Sequence, residues 1–144
     1  MSILLVGGAG RTAVRIGRLL QSVKTPFVMT SRKGRPASMP SGFEDTPFAT
    51  FDFTSSQTFD NPFEPKLGST SIAAIYLISP HGPNAASDVN SFIDNAVEKH
   101  SVKRVVLLAN QGVKQDDTAN GKIWKHLEDI GLEHAILAPT WFNG

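Results

Sequence analysis

Ile3-Leu4-Leu5-Val6-Gly7-Gly8-Ala9-Gly10-Arg11-Thr12-Ala13 sets a short apolar run against a glycine-rich turn, with a helical pattern directly behind it. An unbroken apolar run suits a parallel strand covered on both faces. Glycines let the backbone turn tightly and come close to a pyrophosphate. The helix that follows aims free N–H groups and the positive end of its dipole at the phosphates. The spacing Gly7-x-x-Gly10-x-x-Ala13 therefore predicts a dinucleotide cradle, with Gly7, Gly8, Ala9, Gly10, Arg11 and Thr12 as cofactor-binding residues. A tight strand-to-helix turn that binds nothing shares the glycines, but the strand before and the helix after favour the cradle.

The same alternation continues outward. Ile16, Leu19, Leu20 and Val23 recur at i, i+3, i+4 and i+7, one face of a helix, and Lys24-Thr25-Pro26 ends it. Phe27–Thr30 reads as a second strand. Residues 31–47, rich in Gly, Pro, Ser and basic side chains, read as a mobile connector. Phe48–Phe53 reads as a third strand, and Pro62 and Pro65 limit the next stretch to short helical pieces. Ser71–Ser79 carries the strongest strand signal. Val89, Phe92, Ile93, Ala96 and Val97 then repeat at helical spacing, with Ser87 or Asp88 as the expected N-cap. Val105–Ala109 is a fifth apolar strand. Ile123, Leu127 and Ile130 form a last helical stripe closed by Gly131 at C′, and His134–Leu137 is a short sixth strand. Strands alternating with helices predict an α/β, doubly wound parallel sheet of about six strands, a Rossmann domain over residues 1–144.

Composition narrows the function. The 144 residues suffice for one domain with its own core. A net charge of +1 argues against bulk nucleic-acid or membrane-surface binding. The absence of cysteine excludes disulfides, thiolate metal sites and a thiol nucleophile, and fits a cytoplasmic setting. No apolar run approaches the roughly 20 residues of a membrane span, and the first one has no basic leader of a signal peptide. No histidine or carboxylate spacing suggests a metal, and no P-loop or G-x-S-x-G is present.

The end of the second strand faces the adenosine ribose in such a fold. An acid there would accept bonds from a free 2′-hydroxyl. No acid occurs between Phe27 and Phe43; Ser31, Arg32, Lys33 and Arg35 stand there instead. A guanidinium pairs well with a 2′-phosphate, so Ser31, Arg32 and Lys33 predict NADP(H), with Arg32 as the main clamp. A solvated basic loop is the alternative. Asp52 and Phe53, at the end of the third strand, lie near the expected adenine edge; Asp52 equally suits a helix N-cap. Pro80, with His81, follows the fourth strand, where the chain passes the nicotinamide side. Lys122 is the candidate catalytic residue, four after Thr118 at the front of the last helix. It either contacts the nicotinamide ribose or is an ordinary surface lysine. The only tyrosine, Tyr76, falls inside the fourth strand and reads as core.

Taken together, the glycine turn, Thr30-Ser31-Arg32, Val105-Val106-Leu107-Leu108, Gly121-Lys122 and Pro139-Thr140-Trp141-Phe142 resemble the NmrA-like atypical short-chain dehydrogenases. Within them the chain is most similar to the fungal ergot-alkaloid reductases of the festuclavine and agroclavine dehydrogenase type. In short-chain dehydrogenases the last helix supplies a Tyr-x-x-x-Lys pair, and Thr118 occupies the tyrosine place here. The resemblance implies an NADPH-dependent oxidoreductase delivering hydride to an iminium intermediate of indole alkaloid synthesis. That chemistry yields a neutral amine and needs no strong general acid. Asn110-Gln111 stands where relatives tend to carry small hydroxyl residues, and Ala138 where an arginine is expected. Family members are longer, and their C-terminal half builds much of the substrate pocket. The chain therefore reads as the cofactor half, with a small-molecule substrate and a homodimer or partner subunit covering the missing half. The competing expectations are a non-catalytic, dinucleotide-binding regulator of the NmrA kind and an inactive fragment.

Overall fold

A computed structural model describes residues 1–7, 10–68 and 71–139. Its order is β1 (Ser2–Leu5), α1 (Arg11–Ser22), β2 (Phe27–Ser31), β3 (Phe48–Thr50), three short 3₁₀ turns (Ser56–Thr58, Asn61–Phe63, Pro65–Leu67), β4 (Ile72–Ile78), α2 (Ala85–His100), β5 (Arg104–Leu108), α3 (Ala119–Asp129) and β6 (Glu133–Leu137). All six strands pair in parallel in the order β3-β2-β1-β4-β5-β6. This is the expected doubly wound sheet. Strand order reverses between β1 and β4, and a crevice opens at the carboxyl ends there.

Successive residues of the apolar strands serve opposite faces. Leu4, Val28, Ile75, Leu77, Val105 and Leu107 pack with Val89, Phe92 and Ile93 of α2 and with Ile123 and Leu127 of α3. Leu5, Phe27, Met29 and Tyr76 pack on the other face, with Ala13 of α1 and Phe43. A tight aromatic cluster organises the larger core. The Phe92 ring lies 4.6 Å from Phe51, 5.4 Å from Phe59 and 5.8 Å from Phe53, centroid to centroid.

Three expectations need correction. Helix α1 buries only part of the stripe read from sequence: Ile16 and Leu20 pack against the core, but Leu19 is 67% and Val23 68% exposed, while Ala13 and Gly17 are buried. The reason is Gly17. A Cβ there would lie 2.8 Å from the Phe43 ring and 3.3 Å from Phe27, so the helix turns its smallest residue to the sheet and two rings fill the space. The same Phe43 overturns the mobile connector. It is fully buried, and Thr46 nearly so. Arg35 donates from Nη1 to the Phe43 carbonyl at 2.7 Å and from Nη2 to the Thr46 carbonyl, with its guanidinium over the Phe48 ring. Residues 31–47 thus form a packed layer beside α1. Third, α2 begins a turn before Ser87 and Asp88. Its N-cap is Asn84, and Ala85 extends the buried stripe of Val89, Phe92, Ile93 and Ala96 by one turn. Ser87 instead donates its hydroxyl to the Asn84 carbonyl at 3.0 Å.

Other readings hold. Gly131 takes φ +68° directly after α3, a conformation that favours glycine. The prolines confine 54–68 to 3₁₀ turns. On the α1 side of the sheet, Ile78, Leu108 and Leu137 stand in register across β4, β5 and β6. Ile78 is 41% and Leu137 46% exposed. No helix among the described residues is long and apolar enough to cross a membrane.

Candidate functional site

A cavity of about 600 Å³ opens at the carboxyl ends of β1, β2 and β4. Its wall brings together Gly7, Gly10, Ser31, Arg32, Asp52, Phe53 and Pro80, with Thr30, Ile78 and His81 among them. These come from four separate strand ends. The topology, not chain proximity, assembles them.

The glycine turn is built for close approach. Gly7 has φ +86° with open space where a Cβ would stand, and a Cβ on Gly10 would meet the Gly7 carbonyl at 3.2 Å. Gly10 donates its N–H to that carbonyl at 2.9 Å, and α1 starts at the next residue with no side-chain cap. The first-turn N–H groups are therefore left for a ligand. Thr30 fixes the turn to β2: its Oγ1 accepts from the Gly7 N–H at 3.3 Å and donates to the Leu5 carbonyl at 3.5 Å. Sequence reading passed over this role; a buried hydroxyl at the end of an apolar strand was its signal. Gly8 and Ala9 lie outside the described residues, as do Thr140, Trp141 and Phe142.

At the ribose end, Arg32 lines the cavity and is exposed, whereas Arg35 is committed to the connector carbonyls. Lys33 is exposed beside Arg32 but outside the wall. Ser31 lines the wall and donates its hydroxyl to the Gly34 carbonyl. Asp52 is not a helix N-cap. Its Oδ1 accepts from the Thr54 N–H at 2.9 Å and hydroxyl at 2.7 Å, closing a turn ahead of the 3₁₀ segment. Those two bonds, helped by the positive charge of Arg32, hold its carboxyl below the ordinary range. The wall thus presents one guanidinium and one ionised carboxylate.

Arg11 and Thr12 occupy the first two positions of α1 and do not line this cavity. Thr12 stands instead against Tyr76. The Tyr76 hydroxyl is buried and makes no hydrogen bond of good geometry. Burial pushes the phenol pKa up, and proximity to Thr12 offsets part of that. Tyr76 is a core residue, as its sequence context suggested.

A second cavity, of about 400 Å³, lies beyond the ends of β4 and β5. It shares Ile78, Pro80 and His81 with the first, so the two are lobes of one crevice. Asn110, Gln111, Asp116, Thr118 and Asn120 line it. Thr118 caps α3, its Oγ1 accepting from the Gly121 N–H at 3.1 Å. Lys122 is exposed on α3 and stands outside this wall. Among the described residues no group of histidines and acids could hold a metal ion.

Comparison with known proteins agrees with this geometry. The chain is 36% identical to agroclavine dehydrogenase of Claviceps fusiformis, over 99% of its own length and 47% of that protein. It is 34% identical to festuclavine synthase I of Penicillium roqueforti, over 99% and 48%. The likeness to both runs along nearly the whole of this chain. It spans about half the length of these relatives. No family model matches. Among solved structures, yeast methylglyoxal/isovaleraldehyde reductase Gre2, complexed with NADPH, superposes with a TM-score of 0.65 at 21% identity, over 96% of this chain and 53% of that one. A nucleoside-diphosphate-sugar epimerase from Staphylococcus aureus gives 0.72 at 12% identity, over 94% and 49%. These likenesses bear out the doubly wound, Rossmann-type fold.

Proposed function

We propose that the chain is the dinucleotide-binding part of an NADPH-dependent oxidoreductase that reduces a C=N bond of an alkaloid iminium. The observation that carries the reading is the cradle at Gly7 and Gly10, where a left-handed glycine leaves open space over an uncapped helix start. A pyrophosphate would sit on that backbone. Arg32 would pair with a 2′-phosphate, and Asp52, through its second oxygen, would accept from the adenine amine. Phe53 would flank the base and Pro80 the nicotinamide end. Lys33 would reinforce Arg32. Arg11 would lend positive charge at the helix start, and Thr12 would hold the helix against the sheet. Gly8 and Ala9 complete the turn in the sequence pattern.

When bound, the dinucleotide supplies a hydride. The chain's own part is to bind, orient and exclude water. Reduction of an iminium leaves a neutral amine, so no proton donor has to stand at the reacting carbon. Thr118, at the place of the usual acid, lines the second lobe, in keeping with that chemistry. Lys122 is the one residue of the Tyr-x-x-x-Lys pair that remains; exposed on α3 and outside both walls, it would have to extend over the crevice mouth to contact the nicotinamide ribose.

Calorimetric titration with NADPH and NADH tests the proposal. NADPH is expected to bind at least tenfold more tightly, and Arg32→Ala to remove most of that preference, since a charge-assisted phosphate contact is worth about 1.5–3 kcal/mol. Lys122→Ala should weaken both nucleotides alike. Equal affinity for NADPH and NADH in the unaltered chain would refute the cofactor assignment. Absence of binding by either would refute the oxidoreductase reading.

A further inference from the structure

The second lobe differs from the first in charge. Its wall includes Ile78, Leu108 and Val113 as apolar surface, and among the described residues Asp116 is its only acidic residue and no lysine or arginine lines it. The Asp116 carboxylate is held in place. Its Oδ1 accepts from the Thr118 N–H at 3.0 Å and hydroxyl at 2.5 Å. Gly121 is pressed against it from behind: a Cβ there would lie 2.5 Å from Oδ1 and 2.7 Å from the Asp116 backbone nitrogen. The loop can therefore fold onto the first turn of α3 only over a glycine. Its own backbone N–H and the positive charge of Lys114 add to the Thr118 bonds in holding the Asp116 carboxyl below the ordinary range.

This arrangement decides between two kinds of ligand. A helix start ordinarily attracts anions. Here the Gly121 N–H is already satisfied by Thr118, and Asp116 is itself the anion at the helix start. A phosphate or carboxylate entering the lobe would meet a fixed negative charge, and the cation that acts on that charge, Lys114, stands outside the wall.

We propose that Asp116 is a specificity-determining residue, selecting a positively charged, N–H-bearing substrate for the second lobe and rejecting anionic ones. The proposal rests on the dinucleotide reading of the first lobe and adds the group that recognises substrate charge. It also separates this chain from fold neighbours that handle nucleoside-diphosphate sugars.

The test uses the whole chain saturated with NADPH. It is titrated with 2-phenylethylamine, a cation, and 3-phenylpropionate, an anion of similar size. The cation is expected to bind about tenfold more tightly, the order of effect of one partly solvated charge acting with opposite sign on the two probes. Asp116→Asn keeps the Oδ1 acceptor that Thr118 needs and removes only the charge. It should bring the two affinities to within about twofold while leaving NADPH affinity unchanged, and the unaltered chain should lose its preference steadily with added salt. Equal binding of the two probes, or a preference that survives Asp116→Asn or high salt, would overturn the proposal. Failure of NADPH itself to bind would instead overturn the reading of the first lobe, and the charge-selection proposal would fall with it.

Discussion

Phe92 links the stability of this fold to the shape of its crevice. It is fully buried on α2, and its ring touches Phe51 and Phe53, which line the first cavity, as well as Phe59. Truncation to alanine removes a large apolar surface and leaves a void that surrounding rings cannot close. Such Phe→Ala changes cost about 3–5 kcal/mol, a large share of the roughly 5–15 kcal/mol by which domains are stable. At about 2–4 °C per kcal/mol for a chain of this size, the melting temperature should fall by roughly 6–20 °C. Phe92→Leu retains most of the volume and should cost about 1–2 kcal/mol. Circular dichroism melts of both variants, with NADPH titrations well below each melting point, give the two readouts. Phe92→Ala should bind the nucleotide more weakly than Phe92→Leu, since Phe51 and Phe53 lose their backing. A melting temperature lowered by less than about 4 °C would show that the cluster is not the keystone of the larger core. Unchanged affinity in a destabilised but folded Phe92→Ala would refute the coupling between core and crevice.

Two further outcomes follow from local geometry. Gly7→Ala places a side chain at φ +86°, costing about 1–2 kcal/mol in backbone strain. Its Cβ meets nothing within 4 Å in the free chain but occupies the space a pyrophosphate needs, so NADPH affinity should fall by more than thermal stability does; the reverse order would contradict the cradle. Asp60 is held down to about 2 by hydrogen bonds from His100 and Asn95, with Lys99 adding to the effect. Because its folded pKa lies below the unfolded value, its stabilisation is present above about pH 4 and lost as pH falls toward 2. As an exposed cluster it is worth less than about 1 kcal/mol, so Asp60→Asn should lower the melting temperature slightly at pH 6 and not at all near pH 2.

The parts of this molecule legible in its sequence are those set by neighbours along the chain. An unbroken apolar run such as Ile72–Ile78 is a strand in a covered parallel sheet wherever it falls. A glycine that must turn left-handed after a helix, as Gly131 does, is marked by its own residue type. The illegible parts were decided by residues far away. Nothing near Gly17 says that Phe43, some two dozen residues on, will fill the space over it, so the Leu19 and Val23 stripe read correctly as helical and incorrectly as buried. Ser87 and Asp88 have good capping chemistry, yet burial of Ala85 against the core recruited the preceding turn.

The two arginines after β2 show the same limit at the site. Arg32 and Arg35 are of one type, three positions apart, in one basic segment, and sequence offers both to a phosphate. The fold separates them by backbone alone. The connector turns back so that the Phe43 carbonyl, which also accepts from the Thr46 N–H at 3.2 Å, and the Thr46 carbonyl both face Arg35, which binds both and stacks on Phe48. Without that side chain, the carbonyl of the buried Thr46 would lose the guanidinium donor and that of Phe43 one of its two donors, at a cost comparable to a lost hydrogen bond. Arg35 is thereby structural, and Arg32, one residue past the end of β2, keeps its charge at the crevice mouth. Loss of Arg35 should accordingly appear as lost stability, and loss of Arg32 as lost cofactor preference, although the two substitutions are chemically the same.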